Sequence, residues 1–307
     1  MIRVGYAAQN LTIPATTNRT LRLASLSNAD KVRSLVQANL EALRSIITWN
    51  ALHGVALFRI GQSLIPFASH RQFPYDWQRE HAGELADIGV LARSHGIRLS
   101  MHPGQYIQPG SPTPAIVANS LDELRFVAAL FDLVGNRDAT MVLHMGGAYG
   151  DHPQTAARFA SILACEPSIL RYLALEGDER IWSIRQILPV AAALGVPVIV
   201  DALHHRMNPD GLTLAEAIDL ALPTWSGRDI RPKVHISSQD PDKQAGAHAF
   251  GIEQADWDEL VAVIGDRDID VMIEAKGKEQ ALIGLGLVTP GDDARAVARG
   301  TAVGISR

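Results

Sequence analysis

The stretch IRLSMHPGQY, residues 97 to 106, sets the pattern on which the fold turns. Residues 97 to 102 read as a short buried strand that ends in a histidine, and Pro-Gly then carries the chain into Gln105 and Tyr106. Seven further runs of the same kind lie at 2–6 (IRVGY), 54–60 (GVALFRI), 140–144 (TMVLH), 172–176 (YLALE), 196–201 (VPVIVD), 232–237 (PKVHIS) and 269–276 (IDVMIEAK). Longer segments with helical spacing separate them. In ADKVRSLVQANLEALRSIITWNALHG, for example, Val32, Leu35, Leu40, Leu43, Ile46 and Ile47 share one face, and several such segments stop at a glycine, as helices commonly do. Strand and helix alternating eight times predict an α/β fold, a single-domain (β/α)₈ TIM barrel, ahead of an open doubly wound sheet. The barrel is expected over residues 1–285, with 286–307 a loosely packed tail, because the last helical segment dissolves into Gly, Pro and charge.

Composition agrees with one large folded unit. The chain has 307 residues, 47% of them hydrophobic, which is enough to bury a large core. Its single cysteine, Cys165, can build neither a disulfide framework nor a thiolate metal site, and reads as inert packing in a reducing compartment. Arg3 interrupts the N-terminal apolar run, and LPVAAALGVPVIV is too short to span a bilayer, so a cytoplasmic location without membrane contact is expected. The net charge of −5 supplies no electrostatic argument for nucleic acid.

The strand ends carry the chemistry. They bear Tyr6, His102, His144, Glu176, Asp201, His235 and Glu274, with His70 in the loop after the second strand and His204 three residues past Asp201. In a barrel these ends open on one face, so residues far apart in sequence meet in one bowl. Taken singly, a histidine at a strand end is more often structural than functional, and Asp201 has the place of a helix N-cap. Taken together, five of the eleven histidines fall at this rim with three carboxylates. Imidazole and carboxylate without thiolate are donors for zinc, manganese or iron. Three carboxylates packed together need a cation, and Glu176 is placed to bridge two ions, an arrangement that suits phosphoryl transfer. Lys233 points the same way as His235, where it could hold a phosphate, sit beyond the ligands, or pair with a carboxylate. The chain has no P-loop, dinucleotide-binding fingerprint, G-x-S-x-G elbow or H-E-x-x-H motif, and GGAYG (146–150) reads equally as a phosphate-facing turn or a plain βα turn.

Together, TTNRTLRL, FRIGQSLIPFASH, LSMHPGQY, VLHMGGAYG, LALE, VDALHH, KVHISSQ, GAHAF and IEAKGKEQ resemble the UV damage endonucleases, in order and from the first residues to about 282. The resemblance implies a metal-dependent barrel enzyme that acts on damaged double-stranded DNA as a monomer, with no obligate protein partner. It implies a cut on the 5′ side of cyclobutane dimers and 6-4 photoproducts, leaving a 3′-hydroxyl and a 5′-phosphate. Three divalent ions are implied, manganese first, with zinc, cobalt or magnesium as alternatives. One would be held by His102, His144 and Glu176, a second by Glu176, Asp201, His235 and Glu274, and a third by His204 and His248. Glu176, His70 and Lys233 would serve catalysis, with Lys233 near the third ion. Gln105, Tyr106, Tyr6 and Asn10 would recognise the lesion, Tyr6 by stacking on it. A weakened stack is cheaper to open, and an amide with an aromatic ring can occupy the gap. Arg19, Arg22 and Arg71 are candidate backbone contacts, and three dications would offset the acidic net charge locally. Gly177 stands where the family pattern leads one to expect Asn. A sugar isomerase or epimerase, an abasic-site nuclease of the endonuclease IV type, and a metal-storage module are the competing readings.

Overall fold

The computed structural model describes residues 1–289. Its main sheet is built from β1 (Ile2–Ala7), β4 (Leu57–Ile60), β5 (Arg98–Met101), β6 (Thr140–His144), β7 (Leu173–Glu176), β8 (Val198–Ile199), β9 (Lys233–Ile236) and β10 (Ile269–Ile273). The strands lie in the order β8-β7-β6-β5-β4-β1-β10-β9, every pair parallel. A parallel bridge between Asp201 and His235 closes the ring, with the His235 N–H donating to Val200 O at 2.9 Å. The expected (β/α)₈ barrel is therefore what forms, and its seam runs through two of the expected metal ligands.

The principal helices follow the predicted segments: α1 (Ala29–Leu52), α2 (Trp77–Ser94), α3 (Pro114–Val134), α4 (His152–Leu163), α6 (Ile184–Leu194), α8 (Leu214–Ala221) and α9 (Gln254–Ile264). Local chemistry sets their ends. Ser183 and Gln186 form a reciprocal capping box at the start of α6, and Gly135 and Gly195 take the left-handed conformation that ends α3 and α6. Three short helices, α5 (Pro167–Leu170), α7 (Ala202–Met207) and α10 (Glu279–Gly284), and a hairpin of β2 (Gln9–Asn10) with β3 (Ala15–Thr16), are too brief to show a period. Cys165 corrects the packing expectation, for it lies exposed just past α4. Of the tail expected from 286, Val288 packs into the core, and residues 290–307 lie outside the described residues. Among the described residues no helix is long and apolar enough to cross a membrane.

Strand alternation separates two apolar regions. Phe58, Ile60, Leu99, Met101, Leu143, Leu175, Val200, Ile236 and Ile273 point outward into the large core shared with the helices. The opposite face turns into the barrel, where Val142, Ala174 and Ile199 meet Trp225 in a small separate cluster. His144, Glu176 and Asp201 follow those three by two residues, so they point inward one layer nearer the mouth.

Deeper still, Asp270 accepts from Arg3 Nε and Nη2 at 2.7 and 2.8 Å and from Arg98 Nη1 at 2.9 Å. Arg98 is buried and also donates to Thr140 Oγ1 and the Asp138 and Arg231 carbonyls. Asp270→Asn leaves a buried guanidinium without its charge partner and is expected to cost about 3 kcal/mol of unfolding free energy. Denaturant titration checks this, and bound manganese should be unchanged, since Asp270 precedes the mouth residue Glu274 by two inward positions.

Candidate metal centre

Glu176 ends β7 fully buried, and its two oxygens serve two neighbourhoods. Oε2 lies 3.0 Å from His102 Nε2 and 3.4 Å from His144 Nε2, and Oε1 lies 2.6 Å from His235 Nδ1. Single donor atoms from His102, His144 and Glu176 all fall within 4.8 Å of one another, as do atoms from Glu176, Asp201, His235 and Glu274. These are the first and second expected ligand sets, sharing Glu176. Asp201 is at once a cap and a site residue. Its Oδ1 accepts from the N–H groups of Leu203 and His204 at 2.8 and 2.9 Å, while Ser237 Oγ approaches Oδ2 at 3.5 Å.

His204, on the first turn of α7, stands with its ring centroid 5.4 Å from that of His144 and 6.1 Å from that of His248. Its Nδ1 lies 3.3 Å from the Gly177 carbonyl, which leaves Nε2 free to act as a ligand. A Cβ at Gly177 would come within 2.9 Å of Ile184 Cδ1, the tip of a flexible side chain. The structure thus brings His204 and His248 together beside the two ligand sets.

The electrostatics match a site built for cations. Burial alone would push Glu176 up, yet His235, His144 and His102 overcome it and hold the carboxyl well below its usual range. Burial likewise opposes the charge on His204, but Asp201, Glu176, Glu274 and Glu179 outweigh it and raise the imidazole to about 9. His235 is raised as well, burial again being outweighed by Glu176 and Glu274. Three carboxylates and a nitrogen–oxygen donor set that draw positive charge onto His204 and His235 fit divalent ions.

Arg59 is not singled out by the sequence, where it sits inside an apolar run. It follows the inward parity of β4, and its Nη2 donates to Glu274 Oε1 at 2.5 Å and lies 3.1 Å from His235 Nε2. Burial disfavours its charge, but Glu274 more than compensates. An arginine on the same strand face as an expected site is the signal that could have found it.

Several expected roles are corrected. Tyr6 has the outward parity of β1 and is buried against α1. Its ring meets Phe58 edge-on at 5.4 Å, and its hydroxyl donates to Asn50 Oδ1 and accepts from Asn10 Nδ2, both at 2.7 Å, so it cannot stack on a lesion in this arrangement. Asn10 is buried too, and its Oδ1 accepts from the N–H groups of Thr12 and Ile13, which makes it the pin of a turn. Lys233 faces inward with His235, but two residues deeper. It is buried, its ammonium has no hydrogen-bond partner, and burial with Arg98 and Arg59 holds its pKa well below the lysine range. In this arrangement it pairs with no carboxylate. Arg19 is spent on the Thr16 and Ala38 carbonyls, whereas Arg22 and Arg71 are exposed.

His70 lies apart from both ligand sets. It shares with Tyr106, Arg71, Gln62 and Glu123 a cavity of about 660 Å³ beside the mouth. Gln105 and Tyr106 are exposed, with Tyr106 62% accessible. Gly104 allows the phenol to fold back, since a Cβ there would come within 2.5 Å of Tyr106 Cε1.

With this geometry in hand, comparison with known proteins is decisive. The family model described as UV-endonuclease UvdE matches residues 2–299. The chain belongs to the UvdE family of endonucleases. A UV DNA damage endonuclease from Clostridium perfringens (strain 13 / Type A) is 33% identical over 286 residues, 92% of this chain and 69% of the relative. The crystal structure of SacUVDE superposes with a TM-score of 0.88 at 31% identity, covering 93% of this chain and 96% of that one. Endonuclease IV from Thermus thermophilus matches at a TM-score of 0.54 and 15% identity over 92% of this chain and 97% of its own, a likeness of fold alone. This UvdE chain is therefore an enzyme, a barrel endonuclease.

The raised histidines make metal uptake pH-dependent. A metal ligand must be a neutral imidazole, so loading the chelator-stripped protein should release protons at pH 7, and affinity should rise with pH through about 9, above which His204 is already deprotonated. For the metal-free protein the sign is opposite. A folded pKa of about 9 against 6.5 unfolded contributes stability that is complete below 6.5 and lost as pH rises through 9. Calorimetry in buffers of different ionisation heat measures the first effect, and thermal melts from below pH 6.5 to above pH 9 measure the second.

Proposed function

We propose that this protein nicks duplex DNA immediately 5′ to UV photoproducts, leaving a 3′-hydroxyl and a 5′-phosphate, with divalent ions at the barrel mouth. The observation that carries this reading is the double use of Glu176, one carboxylate joining two ligand groups in a chain that the UvdE model matches over residues 2–299. Three ions, manganese first, are proposed: one on His102, His144 and Glu176, a second on Glu176, Asp201, His235 and Glu274, and a third on His204 and His248. Bound there, such ions supply Lewis-acid stabilisation of a phosphoryl centre and lower the pKa of water.

The chain's own groups do the rest. Glu176 holds the two groups at a fixed spacing, and Arg59 keeps Glu274 ionised and aimed inward. The Asp201 cap on α7 fixes both its own carboxylate and His204. Gln105 and Tyr106 project where a duplex would lie, an amide and a ring able to enter a stack that a dimer has already weakened. The cavity beside them has room for a nucleobase, and His70 in its wall would contact the strand that enters it, apart from the ligand sets. Exposed Arg22 and Arg71 are suited to the backbone.

Two matched duplexes, one with a single cyclobutane dimer and one with an abasic site, test the proposal when treated with manganese and with EDTA. Metal-dependent cutting on the 5′ side of the dimer is expected. Cutting of the abasic strand alone moves the activity to the endonuclease IV type, and cutting of neither returns the sugar-isomerase reading. Glu176→Gln should abolish incision while lesion binding stays detectable by gel shift. In Tyr106→Ala, binding to the dimer duplex should weaken with metal content unchanged.

A further inference from the structure

The turn that leaves β10 holds a lysine that none of the foregoing uses. Lys278 follows Glu274 by four residues and stands immediately before α10, with its backbone at φ 53° and ψ −127°. Glycine adopts that conformation freely, while a residue with a Cβ is strained in it. The main-chain bonds there ask nothing of a side chain. Its N–H donates to Ala275 O at 3.2 Å, its carbonyl accepts from Ala281 N at 3.1 Å, and Gln280 N closes the turn onto Gly277 O at 2.8 Å. A chain that needed only to turn would be relaxed with glycine at 278, so what the strain secures is the lysine.

The neighbours hold this turn rigid. Gly277 N donates to Phe250 O at 2.7 Å and Lys276 N to Ala249 O at 3.0 Å, tying it to the loop that carries His248. On the other side Glu279, fully buried, accepts from the N–H groups of Leu11 and Thr12, both at 2.7 Å. Lys276 spends its charge on Asp240 at 2.9 Å. Lys278 is half-buried, and among the described residues its ammonium makes no hydrogen bond or ion pair. Burial pulls its pKa down against the pull of Glu274, which places the amine within the field of the metal centre. A cation kept partly out of water, unpaired and on a strained backbone is costly unless an anion arrives to complete it.

We propose that Lys278 is a substrate-contacting cation, its ammonium receiving the non-bridging oxygens of a DNA phosphate at the barrel mouth. This rests on the nuclease reading above. A lysine suits the task because its compact charge binds phosphate from any direction, without the planar match an arginine needs.

The test uses the full-length, manganese-loaded protein with Lys278→Gly, Lys278→Met and Lys278→Arg. Lys278→Gly should melt no lower than wild type, because its backbone is relaxed, and should bind the same amount of manganese. Its affinity for dimer-bearing duplex should fall on the order of tenfold, and the slope of log affinity against log salt should shrink by about one unit. Lys278→Met should lose as much, and Lys278→Arg should recover most of the affinity. Wild-type affinity and salt slope in Lys278→Gly and Lys278→Met overturn the proposal. So does loss of bound manganese in both, which would make Lys278 an internal counter-ion to Glu274. If wild type itself fails to cut the dimer duplex, the nuclease reading falls, and inorganic phosphate decides the lysine separately. Phosphate binding by the loaded protein that weakens in Lys278→Met keeps the phosphate contact, and equal binding by both removes it.

Discussion

Three carboxylates buried side by side, Glu176, Asp201 and Glu274, make a concentration of negative charge that a protein interior cannot hold uncompensated. The surroundings are arranged around that demand. Arg59 spends a buried guanidinium on Glu274, His235 stands between Glu274 and Glu176, and His204 is drawn toward its charged form. The barrel seam itself, the bridge from Asp201 to His235, passes through the same cluster. The main-chain bond that closes the ring, His235 N–H to Val200 O, is thus flanked by two of the residues that would bind metal, so Asp201 and His235 are held by the seam itself.

Beneath this layer the barrel repeats the solution at lower cost. Asp270 sits between Arg3 and Arg98, a buried carboxylate matched by two guanidiniums, and needs nothing further. The contrast is informative. At the Asp270 level side-chain cations balance the acid within hydrogen-bonding distance, whereas at the mouth three acids meet a single arginine and several imidazoles. Structural ion pairing accounts for the first and falls short at the second, where bound cations would make up the difference.

The barrel and the rim cluster were legible in the sequence because topology does the geometric work, while the division of that cluster into ligand sets came from the family resemblance. Eight strands of one direction put their ends on one rim, so His102, His144, Glu176, Asp201, His235 and Glu274 could be grouped without knowledge of any contact. What position along a strand does not tell is which face a residue takes. Tyr6 ends its strand as His144 does, but its parity turns it toward α1, and Arg59, hidden in an apolar run, has the parity that turns it inward. Asn10 belongs to a turn whose hydrogen bonds have no sequence period, and the strain at Lys278 is a backbone angle that no side-chain pattern announces.

The central claim is that Glu176 is shared between two cation sites. Anomalous diffraction from manganese-soaked crystals, recorded on both sides of the manganese absorption edge, tests it most directly. At least two anomalous peaks are expected within bonding distance of Glu176, one toward His102 and His144 and the other toward His235, Asp201 and Glu274. A single peak that leaves one Glu176 oxygen bonded only to protein, or peaks elsewhere on the chain with none at Glu176, would contradict it.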